Sequence, residues 1–394
     1  MIRIAIVHER FTEVGGSELV VRELLRLYPD ATLFAPIAGP AGMPPGVDFD
    51  RVVTGPLQRL YRPGGGYAHL LPLLARAMAA TPLGGFDLVI TSHHAFAHRV
   101  RPAAGVPWVS YVHTPARWMW DPGTRANEGG RAGRAGLGAL VSALRSGDVR
   151  AAQRVDRLVV NSTAVAERVA WHWGRASSVV HPPVDVEWFT PDSTVPREGF
   201  FLLAGRLVPY KRPEVAVAAA REAGVRLVVV GEGRARAGLE SGAGGDVEFL
   251  GRVDDATLRD LYRRCRALVF PGEEDFGIVP VEAMACGAPV LALDAGGVRD
   301  SVLDGVTGRL VTTEPTTADQ VRRFAQAIEA FDPADFDAAA IAAHAAGFGR
   351  AAFAAGFLRQ VDALFGERLD ALAGQRREMA AVAPGPPATG PEAG

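Results

Sequence analysis

Short segments that are apolar on both faces, alternating with amphipathic stretches, constrain this chain more than any other feature. RIAIV, DLVIT and RLVVV leave no polar face for solvent, so each needs cover on both sides, as parallel strands flanked by helices have. Strands are predicted at Ile2–Val7, Phe86–Thr91, Trp108–His113, Arg157–Asn161, Phe200–Ala204, Arg226–Val230, Val247–Leu250, Ala267–Phe270 and Pro289–Leu293. Amphipathic helices are predicted between them at Ser17–Leu27, Ala164–Trp173, Pro213–Ala223 and Thr257–Cys265. Strand, helix, strand in repetition gives βαβ units and the doubly wound α/β class.

The repetition restarts near residue 200, after the Pro-rich connector HPPVDVEWFTPDSTVPREG. A chain of 394 residues also exceeds what one core usually holds. Two doubly wound α/β domains are therefore expected, at 1–190 and 196–345. A helix in 346–373 is expected to pack back on the first domain, and the Pro/Gly/Ala-rich stretch 375–394 is expected to be disordered. In open α/β sheets ligands bind beyond the carboxyl ends of the strands, so two such domains would face each other across a binding cleft.

Composition narrows the function. With 42 basic and 44 acidic residues the net charge is −2, which argues against a nucleic-acid coat. Two cysteines exclude a disulfide scaffold or a multi-Cys zinc cluster and fit a reducing compartment. MIRIAIVHERF lacks the features of a signal peptide, and no apolar run is long enough to span a bilayer. A cytoplasmic location is expected. Arg59, Arg62 and Arg76 among apolar residues of 57–80 could touch the inner face of a membrane, but Pro63-Gly64-Gly65-Gly66 interrupts any long helix, and a solvated loop and helix is the leading reading. Only one of the 42 basic residues is a lysine, Lys211.

That lysine lies in Gly205-Arg206-Leu207-Val208-Pro209-Tyr210-Lys211, just after a predicted strand. Arg offers a bidentate fork and Lys a compact charge, the two usual ways to hold a diphosphate. A second strand runs into Glu273-Glu274-Asp275-Phe276-Gly277-Ile278, and a helix follows that carries Glu282. Free N–H groups at Gly277–Ile278 would seat a phosphate, and Glu282 would suit a ribose diol. In the first half, Gly15-Gly16 permits close backbone approach, with Ser17 as the predicted helix cap. His113 ends a strand and is followed by Arg117, Trp118 and Trp120, an aromatic and polar group suited to a sugar. His93-His94 reads mainly as structural. VVVGEG at 228–233 begins like a dinucleotide fingerprint, but position 236 is Arg, which argues against NAD.

Taken together, E-x₇-E at Glu274 and Glu282, F-G at Phe276-Gly277, and G-R-L-x₃-K upstream resemble the retaining glycosyltransferases of family GT4. Gly231-Glu232-Gly233, Phe249-Leu250-Gly251, Gly287-Ala288-Pro289-Val290 and Gly296-Gly297 extend the resemblance over most of the chain, and H-T-P-x-R-x-x-W-D resembles bacterial mannosyltransferases of surface polysaccharide assembly. The resemblance implies a GT-B fold of two Rossmann-like domains and transfer of a hexose, with mannose from GDP-mannose favoured. The acceptor would be a glycan, lipid-linked or small-molecule hydroxyl. It implies that Arg206 and Lys211 hold the donor diphosphate, Phe276, Gly277 and Ile278 help bind the donor, Glu274 contacts the transferred sugar and Glu282 the ribose. Gly15 and Gly16 would face the phosphates, His113 would lie near the reacting sugar, and Arg117 and Trp118 would lie on the acceptor side. Asn161-Ser162-Thr163 and His181-Pro182-Pro183 match hinge landmarks. The family often has Gly where Asp275 stands, a departure expected to tune the sugar. No D-x-D pair is near the phosphate site, so neither a cofactor nor a metal is expected. A sugar-nucleotide epimerase or hydrolase, or a non-catalytic nucleotide-sugar-binding protein, stays open as an alternative, and so does the oligomeric state.

Overall fold

The computed structural model describes residues 2–62, 67–121 and 133–382. Thirteen strands form two all-parallel sheets among the described residues. The first contains β1 (Ile4–His8), β2 (Thr32–Ala35), β3 (Val52–Thr54), β4 (Leu88–His93), β5 (Trp108–Val112), β6 (Arg157–Val160) and β7 (Ser178–Val179), in the order β3-β2-β1-β4-β5-β6-β7. The second contains β8 (Phe201–Ala204), β9 (Leu227–Val230), β10 (Val247–Gly251), β11 (Ala267–Phe270), β12 (Val290–Leu293) and β13 (Gly308–Val311), in the order β10-β9-β8-β11-β12-β13. The order reverses between β1 and β4 in one sheet and between β8 and β11 in the other. Those two switch points are where an open α/β sheet leaves a crevice for a ligand.

The doubly apolar strands behave as their composition requires. In β1, Ala5 and Val7 enter the core on one face of the sheet, while Ile6 enters the core on the other. Four strands escape the sequence reading. Val52–Thr54, Ser178–Val179 and Gly308–Val311 are short edge strands, and Thr32–Ala35 is four residues long with a proline at Pro36 just beyond it.

The helix Arg350–Val382 sends Phe353, Phe357, Val361 and Leu364 into the core that holds Ile6, Val20, Leu24 and Tyr111. The end of the chain thus covers one face of the first sheet. It runs past 375, where a disordered tail was expected, because the helical pattern continues through QRREMAAV; residues 383–394 lie outside the described residues. Where the domains join, His181 stacks on Phe276 with ring centroids 5.3 Å apart, and Phe348 packs against both. Among the described residues no helix is long and apolar enough to cross a membrane.

Candidate active site

The loops after β8, β9 and β11 press together through glycines. A Cβ on Gly231 would fall 1.9 Å from the Gly205 carbonyl oxygen, and one on Gly272 would fall 2.7 Å from Lys211 Cα. This accounts for VVVGEG: Gly231 and Gly233 allow the loops after neighbouring strands to touch, and no cofactor is needed to explain them. The packing carries Lys211 to Glu274, Nζ to Oε1 at 2.5 Å, with both side chains less than one-fifth exposed. Arg206 is more open. Its guanidinium bonds the Tyr210 hydroxyl at 3.1 Å and lies 3.5 Å from Glu13, on the loop that opens the first domain.

The helix Ile278–Ala285 begins at Gly277, whose φ of +90° favours glycine, and among the described residues no side chain caps its first N–H groups. Gly16 of the first domain approaches so closely that a Cβ there would lie 2.8 Å from Ile278 Cδ1. One turn into the helix, Glu282 accepts a hydrogen bond from the Tyr262 hydroxyl at 3.1 Å. Burial pushes its carboxyl up to about 7, against a modest pull from that hydrogen bond. Phe276 is placed differently from expectation. Its ring is 3 % exposed and packs between His181 and Phe348, so it shapes the domain junction and presents no face to a donor.

On the first domain, His113 Nε2 lies 2.8 Å from the Ser92 hydroxyl, which is 3.0 Å from His8 Nδ1. His8 Nε2 in turn meets Glu18 at 3.1 Å. The other Glu18 oxygen accepts from the Gly15 N–H and the Ser17 hydroxyl, each at 2.9 Å. Gly15 is therefore the N-cap residue and Ser17 only braces Glu18, which corrects the expected cap. Burial pushes His113 down to about 3. Glu9, fully buried, accepts the backbone N–H groups of Ala95, Phe96 and Ala97 and so fixes the loop after β4. Sequence reasoning missed Ser92 and Glu9, whose partners are set by strand register and not by chain proximity; it also missed the contact of Glu18 with His8, ten residues away.

Two expected acceptor-side residues have other partners. Arg117 reaches the second domain, 3.3 Å from the Glu273 carbonyl oxygen and 3.7 Å from its carboxylate. Trp118 packs edge-on to Phe96 at the margin of the first core. Asp275 faces Arg168 on the helix Thr163–Trp173, and Arg168 also holds Glu273 at 2.7 Å. The Ser162 hydroxyl donates to the Asp275 carbonyl, and the Thr163 N–H donates to Asp300 at 2.7 Å. The departure at 275 thus lies in a bridge between domains.

The pair His93-His94 divides. His94 sits beside Arg10, between the rings of His8 and His113. His93 is buried with His98 and Asp148, their ligand-capable atoms within 4.8 Å of one another. Asp148 lies 2.8 Å from His98 and accepts the indole N–H groups of Trp120 and Trp173, so its oxygens are partnered from within the protein.

Comparison with known proteins matches this architecture. Residues 14–188 match the description Glycosyltransferase Family 4, and residues 187–340 match Glycosyl transferases group 1. The chain belongs to the GT4 glycosyltransferases. The D-inositol 3-phosphate glycosyltransferase of Mycolicibacterium smegmatis is 34 % identical over 296 residues, which is 68 % of this GT4 chain and 66 % of the relative, just under two thirds of its length. Among solved structures, sucrose-phosphate synthase from Thermosynechococcus elongatus has a TM-score of 0.69 at 22 % identity, covering 93 % of this chain and all of that one. Anabaena HepE, solved with UDP and glucose, gives 0.66 at 20 % identity, covering 92 % and 100 %. At such identities these two structures speak for the fold, which is GT-B.

Proposed function

We propose that this GT4 protein is a retaining, metal-independent hexosyltransferase that moves a sugar from a nucleotide diphosphate donor to an acceptor hydroxyl. The observation that carries the reading is the convergence of Lys211, Arg206, Glu274 and the start of the helix at Ile278 with Gly16 across the cleft. Arg206, Lys211 and the free N–H groups at Ile278 offset the charge that develops on the leaving diphosphate, a preorganised electrostatic role. The donor divides the Lys211–Glu274 pair, the ammonium turning to phosphate and the carboxylate to a sugar hydroxyl. Glu282, kept near neutrality by its burial, exchanges hydrogen bonds with the ribose diol. Bond formation takes place on the face that the diphosphate leaves, and the departing phosphate oxygen receives the acceptor proton.

Mannose from GDP-mannose is the working donor, and the acceptor class is a glycan, lipid-linked or small-molecule hydroxyl. A thermal-shift screen of GDP, UDP, dTDP and ADP sugars identifies the donor, because a ligand at ~100 times its Kd stabilises the fold by about 2.7 kcal/mol. Lys211→Ala and Glu274→Ala should each reduce transfer by about a hundredfold or more while the protein stays folded. Lys211→Arg should fail as well, since the ammonium pairs with Glu274 at 2.5 Å in a site less than one-fifth exposed, with little room for a broader guanidinium. Full activity in all three variants would overturn the site.

A further inference from the structure

The hydrogen-bond chain behind His113 determines what that imidazole can do. Glu18 takes three donors: His8 Nε2 on one oxygen at 3.1 Å, and the Gly15 N–H and Ser17 hydroxyl on the other, each at 2.9 Å. Burial works against ionisation, yet His8, a backbone hydrogen bond and the Ser17 hydroxyl hold the Glu18 carboxyl below its ordinary value. A carboxylate only accepts, so His8 carries its proton on Nε2. When His8 is neutral, its Nδ1 is bare and must accept from the Ser92 hydroxyl, 3.0 Å away. Ser92 has one proton to give. Once that points at His8, its oxygen can only accept from His113 Nε2, 2.8 Å away. His113 is then the Nε2–H tautomer with Nδ1 bare, and among the described residues none bonds that atom.

We infer that Glu18, His8 and Ser92 form a tautomer-setting relay that presents His113 Nδ1 as a hydrogen-bond acceptor to a hydroxyl of the sugar donor or of the acceptor substrate. His113 is the contact group, and Ser92, His8 and Glu18 are positioning residues. The same chain also reverses. If His8 gains a proton, its Nδ1–H donates to Ser92, the Ser92 proton turns to His113 Nε2, and His113 must carry its own proton on Nδ1. The atom facing a ligand changes from acceptor to donor without His113 changing charge.

The geometry favours such a relay. His8 and Ser92 are Cα partners across β1 and β4, and Ser92 and Tyr111 are partners across β4 and β5, so His113 lies two residues along the same face. His8 and Ser92 have no exposed surface, and Glu18 has 5 %. Water therefore does not compete for the middle of the chain. The other groups facing it are His94, 6.0 Å from the His8 ring and 6.3 Å from the His113 ring, Arg10 bonded to His94, and Tyr111, 5.2 Å from His113. Burial and Arg10 keep His94 neutral, so it adds no second charge that would set the tautomer.

The use of the bare nitrogen rests on the glycosyl-transfer reading, whereas the tautomer does not, and the experiment separates them. Imidazole ¹⁵N shifts of the full-length protein without substrate should assign His113 predominantly to the Nε2–H tautomer at pH 8. Ser92→Ala should leave a mixture of tautomers, and Ser92→Thr, which keeps the hydroxyl, should restore the wild-type ratio. If transfer is then measured, Ser92→Ala should lower kcat/KM by about tenfold, the size expected for one hydrogen bond to a reacting group. Ser92→Thr should recover it, and Glu18→Gln should shift the acidic limb of the pH profile. A wild-type ratio of tautomers in folded Ser92→Ala, judged by circular dichroism and melting temperature, would overturn the relay. Correct tautomers in a protein that transfers no sugar would leave the relay standing and sink the transfer reading instead.

Discussion

Removing the Arg168 side chain should open the cleft and slow transfer without touching any group assigned to the donor. Arg168 belongs to the first domain, yet its guanidinium holds Glu273 at 2.7 Å and pairs with Asp275, on either side of Glu274. Arg168 and Asp275 are 20 % and 26 % exposed, midway between surface pairs, worth about 0–1 kcal/mol, and buried pairs, whose disruption costs about 3–5 kcal/mol. A value of about 2 kcal/mol follows. Burial already pushes the Asp275 carboxyl up, with Arg168 pulling it back, so loss of the arginine pushes it up further and disfavours the charged form. If the bridge exists only when the domains are closed, about 2 kcal/mol lowers the closed-to-open ratio by roughly thirtyfold. Arg168→Ala should therefore increase the radius of gyration in solution scattering and cut kcat/KM by a similar factor. Asp275→Asn should do so less severely, because Glu273 remains. In a double-mutant cycle the two changes should couple by about 1 kcal/mol or more, against the ~0.3–0.5 kcal/mol within which independent sites add. Unchanged scattering together with additive effects would refute the bridge.

The other outcomes concern Gly16 and Glu282, on facing walls of the cleft. Gly16→Ala should be nearly neutral, since its Cβ meets only the flexible end of Ile278, while Gly16→Val should weaken nucleotide diphosphate binding by about tenfold in calorimetry. Equal affinity in both variants would show that Gly16 and Ile278 do not meet in solution. Glu282 gives a pH signature. Its carboxyl rises from 4.5 to about 7 on folding, so between those values the native state binds the extra proton and the group's contribution to stability falls as pH rises. Urea unfolding of wild type and Glu282→Gln at pH 5 and pH 8 should diverge in favour of the mutant at the higher pH, by at most about 3 kcal/mol. A difference that does not change with pH would mean that Glu282 titrates normally.

What the sequence disclosed follows the range of the interactions. Strands such as RLVVV declare themselves because both faces are apolar, and the Glu274–Glu282 spacing places both residues on one loop and the helix after it. Lys211 stood out because every other basic side chain is Arg. Ser178–Val179 could not be seen, because two residues carry no periodicity. Ser92 was invisible for a different reason. A serine in a strand means nothing until register sets it between His8 and His113, 84 and 21 residues away. Arg168 and Asp275 are 107 residues apart, and no local pattern links them.

Asp275 shows how a motif can place a residue correctly and still mislead about what it touches. Read along the chain, Glu273, Glu274 and Asp275 form one acidic turn beside the sugar site. In space they divide. Glu274 turns inward to Lys211, whereas Glu273 and Asp275 turn outward to the arginines of the other domain. The two outer carboxylates fix the turn from both sides and thereby fix the middle one. Glycine at 275 would keep the backbone and remove one of the two anchors, so the expected effect of Asp275→Gly falls on how firmly Glu274 is held when the cleft closes and not on which hydroxyl it meets. The residue that sets the sugar should therefore be sought at Glu274 and His113, and the residue that sets the closing of the cleft at 275.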